Sequence, residues 1–482
     1  MVPAPMPAPG EDFPKNEGPA EAAPFWRSLG QALRGVERDY TALPLSRAVP
    51  LLAVPMVLEM VMESLFAVVD VFWVSRLGSA AVAVVGLTES LMSLIYAVAI
   101  GLAIAATAVV SRRVGEKEPE QAAHAAGQVL VLAVIISAAL GVVLGLAAPS
   151  ILKFMGASPE VVAMGSDFAR LMLGGNATVF LIFVINAIFR GAGDAVIAMR
   201  TLWLANFLNI VLGPFFIFGW WIFPEMGVTG AAVATNIGRG VGVLYQLWHL
   251  AGHGSRVRVR WHHLWPDRAV LGTVLRTAGS GMLQMLIMTT SWVGLFKILA
   301  LFGNAALAGY TIAIRIVIFA LLPASGLANA GATLVGQNLG ADQPARAEAA
   351  VWMATRYNAL ALGVIGALFV AFARPLVGLF TTEPEVLALG SRALWIIGLA
   401  FPFYAAGMCF EGAFNGAGDT WTPTRLNLFC LWLGQIPCAW LLASPAGWGP
   451  TGVFIAVPLS FTVLAIWSAM LFRLGRWKLK KI

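Results

Sequence analysis

Three carboxylic acids, Glu59, Glu63 and Asp70, stand in one otherwise apolar stretch of the chain. An α-helix turns about 100° per residue, so Glu63 falls about 40° and Asp70 about 20° from Glu59 around the axis, with Pro55 on the same face at about −40°. An ionised side chain at mid-bilayer costs roughly 2.5–3.5 kcal/mol on insertion scales, which makes each acid a functional hypothesis. Keeping all three ionised at low dielectric is costly. The stripe is therefore expected to exchange protons, or to coordinate Na⁺ with the same oxygens. Asp70, between Val69 and Val71, is expected to be the main coupling group. Glu59 suits hydrogen bonding to neighbouring helices equally well. Pro55 removes a backbone bond and is expected to bend the helix beside the stripe.

Other polar residues in apolar stretches extend this picture. Asn186, Asn206 and Asn209 are expected to complete a polar pocket, while Glu89, Lys297, Arg315 and Glu411 read as near span ends or paired. Cys409, Cys430 and Cys438 lie inside apolar stretches and read as small packing residues. His262-His263 adjoins the alternating Arg256-Val257-Arg258-Val259-Arg260, which has the pattern of a short strand. Lacking further ligands at metal spacing, the pair reads as part of a basic connector, and no other metal site or cofactor is expected. The histidines also lack polar catalytic partners inside the spans, so an enzyme is not expected.

The elements that must hold these groups are membrane helices. Hydrophobic residues make up 59% of the chain and charged ones 11%, far outside the soluble range. Runs long enough to cross a bilayer occur at about 47–75, 82–111, 122–149, 159–189, 198–222, 228–251, 270–300, 306–335, 348–372, 385–414, 424–443 and 450–472. The expected fold is thus all-α and polytopic, with twelve transmembrane helices in two pseudo-symmetric six-helix bundles. The pseudo-symmetry is written in the sequence: Gly-Ala-Gly-Asp occurs at 191–194 and 416–419, an offset of 416 − 191 = 225. Pro159-Glu160-Val161 answers Pro384-Glu385-Val386 at the same offset. Six spans per half make the halves parallel repeats, a frame in which two bundles rock about a central cavity. The Gly-Ala-Gly-Asp segments read as turns at span ends, with the Asp capping the next helix. Ser158-Pro159-Glu160 reads as a helix start.

The division is then a disordered cytoplasmic leader at 1–45, an N-terminal bundle at 46–252, a basic connector at 253–268, a C-terminal bundle at 269–472 and a basic tail at 473–482. The net charge of +7 follows membrane topology rather than nucleic-acid binding. Arg112, Arg113, Arg190, Arg200, Arg256, Arg258, Arg260 and the tail lysines fall on one side, which the positive-inside rule makes cytoplasmic. A multi-pass protein of the inner (plasma) membrane with both termini cytoplasmic is expected. So are a monomeric state, partners limited to the lipid bilayer and small amphipathic molecules, and no nucleic acid.

Taken in order, the motifs resemble the multidrug and toxic compound extrusion (MATE) family. They are Pro55 with Val69-Asp70-Val71-Phe72-Trp73-Val74, the Arg190-Gly-Ala-Gly-Asp194 and Asn415-Gly-Ala-Gly-Asp419 turns, Asn206-Phe207-Leu208-Asn209-Ile210, Phe216-Ile217-Phe218-Gly219 and Gly227-Val-Thr-Gly-Ala-Ala-Val-Ala-Thr235. The resemblance covers the chain after residue 46. It implies export of amphipathic, often cationic or aromatic compounds against inward H⁺ or Na⁺ flow. It matches the family's first-span acid to Asp70, its span-five asparagine to Asn209, its span-six threonine to Thr235 and a pocket asparagine to Asn186. Where members with an N-terminal site often have Asp, this chain has Gly213 before Pro214, and Glu63 is expected to supply part of the missing charge. The span-seven acid of members with a second-half site is absent too, so the ion site is expected in the N-terminal bundle. Met60, Gln284, Met285, Met288, Trp292 and Tyr404 are the expected substrate-cavity residues. A lipid-linked precursor flippase is the alternative reading.

Overall fold

The computed structural model describes residues 30, 39–252, 255–480 and 482, so most of the expected leader and part of the connector lie outside the described residues. The described chain is helical from the start of α1 (Leu45–Ser75). The first half continues with α2 (Ser79–Gly115), α3 (Pro119–Phe154), α4 (Pro159–Gly174), α5 (Asn176–Ala192), α6 (Ala195–Phe218) and α7 (Val228–Leu250). The second half holds α8 (Arg268–Leu299), α9 (Asn304–Gly340), α10 (Pro344–Gly378), α11 (Pro384–Gly398), α12 (Phe401–Gly416), α13 (Trp421–Asn427), a π-helical segment (Leu428–Gln435), α14 (Ile436–Ala443) and α15 (Pro450–Arg473).

Among the described residues ten helices are long and apolar enough to cross a membrane, or eleven when α11 and α12, bent by 57°, count as one. α4 and α5 together make one of the ten, Pro159–Ala192. The remaining helix, α7, has 23 residues, about 35 Å at 1.5 Å per residue and enough to span. Its lower apolarity comes from Asn236, Arg239, Gln246 and a run of glycines. Twelve spans in two bundles are consistent with this arrangement, each bundle having its own apolar core.

Local chemistry sets the helix ends. Ser158 Oγ accepts from Val161 N at 3.3 Å, with Pro159 as the first helical residue, as expected. Gly193 and Gly418 turn the chain with φ of 90° and 81°. The aspartates that follow do not cap the next helix. Asp194 Oδ2 instead accepts from Arg256 N at 2.9 Å, and Asp419 accepts from Thr422 Oγ1 at 2.7 Å and pairs with Lys480 at 3.2 Å. The left-handed glycine turns the carboxylate away from the helix start and toward the connector or tail. Pro50 and Pro55 lie inside α1 without ending it.

The halves meet through α2 on α8 and α9, and α1 on α9. At the end carrying the Gly-Ala-Gly-Asp turns, the contact is backbone on backbone. A Cβ on Gly115 would overlap the Gln337 carbonyl, and one on Gly340 would overlap the Arg112 carbonyl. Gln337 Nε2 donates to Gly191 O at 3.0 Å across this seam. The tail adds a second tie: Trp477 is buried against Phe472, and Arg112 donates to Lys480 O at 2.7 Å. This end is closed.

Candidate functional site

Each helix around the stripe offers polar residues three, four or seven apart, hence on one face. Glu59 and Glu63 on α1 meet Asn186 and Arg190 on α5, Asn206 on α6 and Arg239 on α7, while Gln246 on α7 stands behind Asn186 and Asn209 on α6 pairs with Thr235 on α7. Glu59 is fully buried, and its Oε1 accepts from Asn186 Nδ2 at 3.0 Å and from Arg190 at 2.9 Å. Gln246 Nε2 then donates to Asn186 Oδ1 at 2.6 Å, orienting that amide. Glu63 accepts from Asn206 Nδ2 at 2.9 Å and pairs with Arg239 at 3.5 Å. Arg239, only 4% exposed, also donates to Tyr96 Oη at 3.3 Å and lies 5.6 Å from the Phe66 ring centroid. Asn209 Nδ2 donates to Thr235 Oγ1 at 2.7 Å.

Asp70 differs from the other two acids. It is half-buried, and its carboxylate makes no hydrogen bond or ion pair among the described residues. Its charged neighbours within electrostatic reach are Glu89 and Arg239. The stripe is therefore unequal: three acids face two buried arginines, a formal balance of −3 + 2 = −1. Two acids are neutralised by fixed cations and one is not. The space at Gly213 bears on the same point, since a Cβ there would meet only Trp73 Cδ1 at 3.9 Å.

Several expectations change here. Arg190, read from sequence as a basic residue at a cytoplasmic turn, is 8% exposed and bonded to Glu59, because α5 continues one turn further than its apolar run. Arg239, Tyr96 and Gln246 were missed. Arg239 stands eleven residues from either end of α7, and an ionisable group at that depth is itself a functional signal. Met60, Gln284 and Tyr404 are buried rather than open to a cavity, with Tyr404 stacked on Phe461 at 3.8 Å. Met288 and Trp292 are half-buried and pack on the second core. Glu411 forms no ion pair among the described residues, and its neighbouring polar side chain is Asn427.

Among its described residues the connector takes no strand, its Arg-Val alternation giving way to a 3₁₀ turn at Trp261–Leu264. That turn brings Glu120 to His262 and His263, with potential ligand atoms within 4.8 Å of one another. The protons argue against a metal. His263 Nδ1 accepts from Arg260 N at 3.0 Å, so Nε2 carries the hydrogen that reaches Glu120 at 2.8 Å. Gln128 completes a clasp by donating to the carbonyls of His263 and Trp265 at 2.7 and 2.8 Å. Burial holds His263 below the usual imidazole range. A group kept neutral by folding stabilises the fold fully above its unfolded value, near 6.5, and loses that contribution as pH falls. Amide protection around Val259–Trp265, relative to the intrinsic exchange rate at each pH, is thus expected to fall from pH 7.5 to 5.5, and His263→Gln is expected to flatten that dependence.

The same fold is found in known transporters. The MatE family model matches residues 55–215 and 280–441, two segments whose starts differ by 280 − 55 = 225, the offset of the internal repeat. The chain is 26% identical over 431 residues to "Probable multidrug resistance protein NorM" of Thermotoga maritima, covering 89% of this chain and 93% of that one. It is 25% identical over 433 residues to the "FAD transporter" of Shewanella oneidensis, covering 88% and 93%. A solved structure described as the outward-facing conformation of a multidrug resistance MATE family transporter superposes with a TM-score of 0.84 at 28% identity, covering 92% of this chain and 98% of that one.

Proposed function

This chain belongs to the MatE family, and we propose that it is a multidrug exporter of the cell's inner membrane that trades H⁺ or Na⁺ inward for an amphipathic organic cation outward. The observation that carries the reading is the unequal stripe. Glu59 and Glu63 are tied to Arg190 and Arg239, so Asp70 alone is left to take a mobile cation. An inorganic cation and an organic cation that both need this charge compete for it, and competition at one site is how antiport is coupled. The contacts of Glu59 with Asn186 and Arg190 and of Glu63 with Asn206 and Arg239 join α1 to α5, α6 and α7, and Asn209–Thr235 joins α6 to α7. Filling or emptying Asp70 is transmitted to that packing.

The closed end carries the Gly-Ala-Gly-Asp turns and both described termini. With that end cytoplasmic, the conformation faces outward, and the return stroke must part the α2–α9 seam. A flavin dinucleotide cargo, as named for one relative, carries phosphate anions and would meet an unpaired carboxylate. A lipid-linked precursor poses the same problem, because both buried arginines are already engaged. The organic cation is favoured. In proteoliposomes holding the purified chain, an imposed inward H⁺ or Na⁺ gradient is expected to drive a fluorescent organic cation in the opposite direction. Transport indifferent to both gradients would remove the antiport reading.

A further inference from the structure

Arg356 of α10 and Arg473 of α15 line one cavity of about 450 Å³ on the outside of the second half, together with Trp352, Thr355 and Ala359. Both arginines are exposed, and neither pairs with an acid among the described residues. Glu348, about two turns before Arg356 on α10, is already paired with Lys478 at 2.5 Å. Trp352 forms the floor. Its ring meets Phe410 and Phe472 edge-on, with centroids 5.1 and 6.1 Å away, and the Arg473 guanidinium lies 5.4 Å from its centroid. A guanidinium held over an indole keeps its N–H groups free for an acceptor.

The helices set the level of this cavity in the bilayer. Arg473 is the last residue of α15, and α10 begins at the same end of the molecule, the end that carries the tail. The arginines therefore stand where a span meets the headgroups. Deeper along both helices the outward side chains are apolar: Leu360 and Val364 on α10, and Met470 and Ile466 on α15, are all exposed. They lie one and two turns from each arginine, on the same side of the helix. Two unpaired positive charges thus head a pair of apolar tracks.

The first half has no such seat. The offset of 225 takes Trp352 and Arg356 to Gly127 and Val131. There the connector lies on the helix: a Cβ on Gly127 would overlap the His263 carbonyl, and Gln128 Nε2 donates to that carbonyl at 2.7 Å. Protein covers in one half the face that the other leaves to lipid. Arginine matches phosphate as a planar fork, and basic pockets between helices on the cytoplasmic side suit anionic headgroups. We infer that Arg356 and Arg473 hold the phosphate of one anionic phospholipid, whose acyl chains lie along α10 and α15. A free phosphate offers the same charge but nothing for the apolar tracks. This binding is independent of what the chain exports.

The test is native mass spectrometry of the full-length chain in detergent, titrated with phosphatidylglycerol and separately with phosphatidylcholine of equal chain length. One phosphatidylglycerol is expected to bind more tightly than those that follow, and more tightly than phosphatidylcholine. Arg356→Gln and Arg473→Gln are each expected to weaken this first binding by about fivefold, and together by about thirtyfold. Both side chains are exposed, so the variants are expected to keep the parent Tm in phosphatidylcholine. Arg276→Gln with Arg425→Gln removes two exposed positive charges elsewhere and is expected to leave the first binding unchanged. Inorganic phosphate is expected not to displace the lipid. Parent-like binding in the Arg356→Gln, Arg473→Gln double variant would overturn the site, as would equal weakening in the Arg276→Gln, Arg425→Gln control or no preference over phosphatidylcholine. Displacement by millimolar phosphate would also overturn it, in favour of a soluble-anion site.

Discussion

Asp70→Asn is expected to insert and fold like the parent chain and to reduce ion-driven export to the level of empty liposomes. The asymmetry between structure and function follows from the side chain's surroundings. Asp70 accepts no hydrogen bond and pairs with no arginine among the described residues, so an isosteric amide strands no partner. What disappears is the one charge of the stripe that no fixed cation balances. Asp70→Glu keeps the charge while moving it by one methylene, and is expected to retain part of the activity. The measurement is export of a fluorescent organic cation, normalised to monodisperse protein in the membrane. Wild-type export by Asp70→Asn would move the coupling site elsewhere.

Glu59→Ala is expected to produce the largest loss of stability of any single change in the stripe. Arg190 is 8% exposed and its charge is met by Glu59 at 2.9 Å. Removing the acid leaves a buried guanidinium uncompensated, a change that costs about 3–5 kcal/mol. It also frees Asn186 Nδ2, which donates to the same oxygen. The double variant Glu59→Leu with Arg190→Met replaces both charges by apolar groups and is expected to recover much of the loss, because buried pairs contribute little net stability over well-packed hydrophobic residues. Unfolding of the two variants side by side in detergent measures this. Equal loss in both would mean that the pair stabilises by packing rather than by charge compensation.

These two variants test a separation of the acids by role that the sequence only outlined, with Asp70 expected to couple and Glu59 suited equally to hydrogen bonding. Helical periodicity placed Glu59, Glu63 and Asp70 on one face, and that much is a property of the chain alone. Which acid is satisfied depends on α5, α6 and α7, whose contacts with α1 span more than a hundred residues, as in the 127 separating Glu59 from Asn186. The span pattern and the 225-residue register were legible because apolar length and glycine turns are local. Arg190 was misplaced because a polar side chain on the last buried turn of a helix looks like a loop residue. The Gly-Ala-Gly-Asp aspartates read as caps, yet the left-handed glycine before each aims the carboxylate at the connector or the tail.

The central claim is that an inorganic cation and the exported organic cation compete for the charge on Asp70. Equilibrium binding of a fluorescent organic cation to the purified chain, titrated with acid and separately with NaCl at constant ionic strength, tests it most directly. Competitive displacement by H⁺ or by Na⁺, absent in Asp70→Asn, is the result predicted. Binding that ignores both ions, or displacement that persists undiminished in Asp70→Asn, would contradict it.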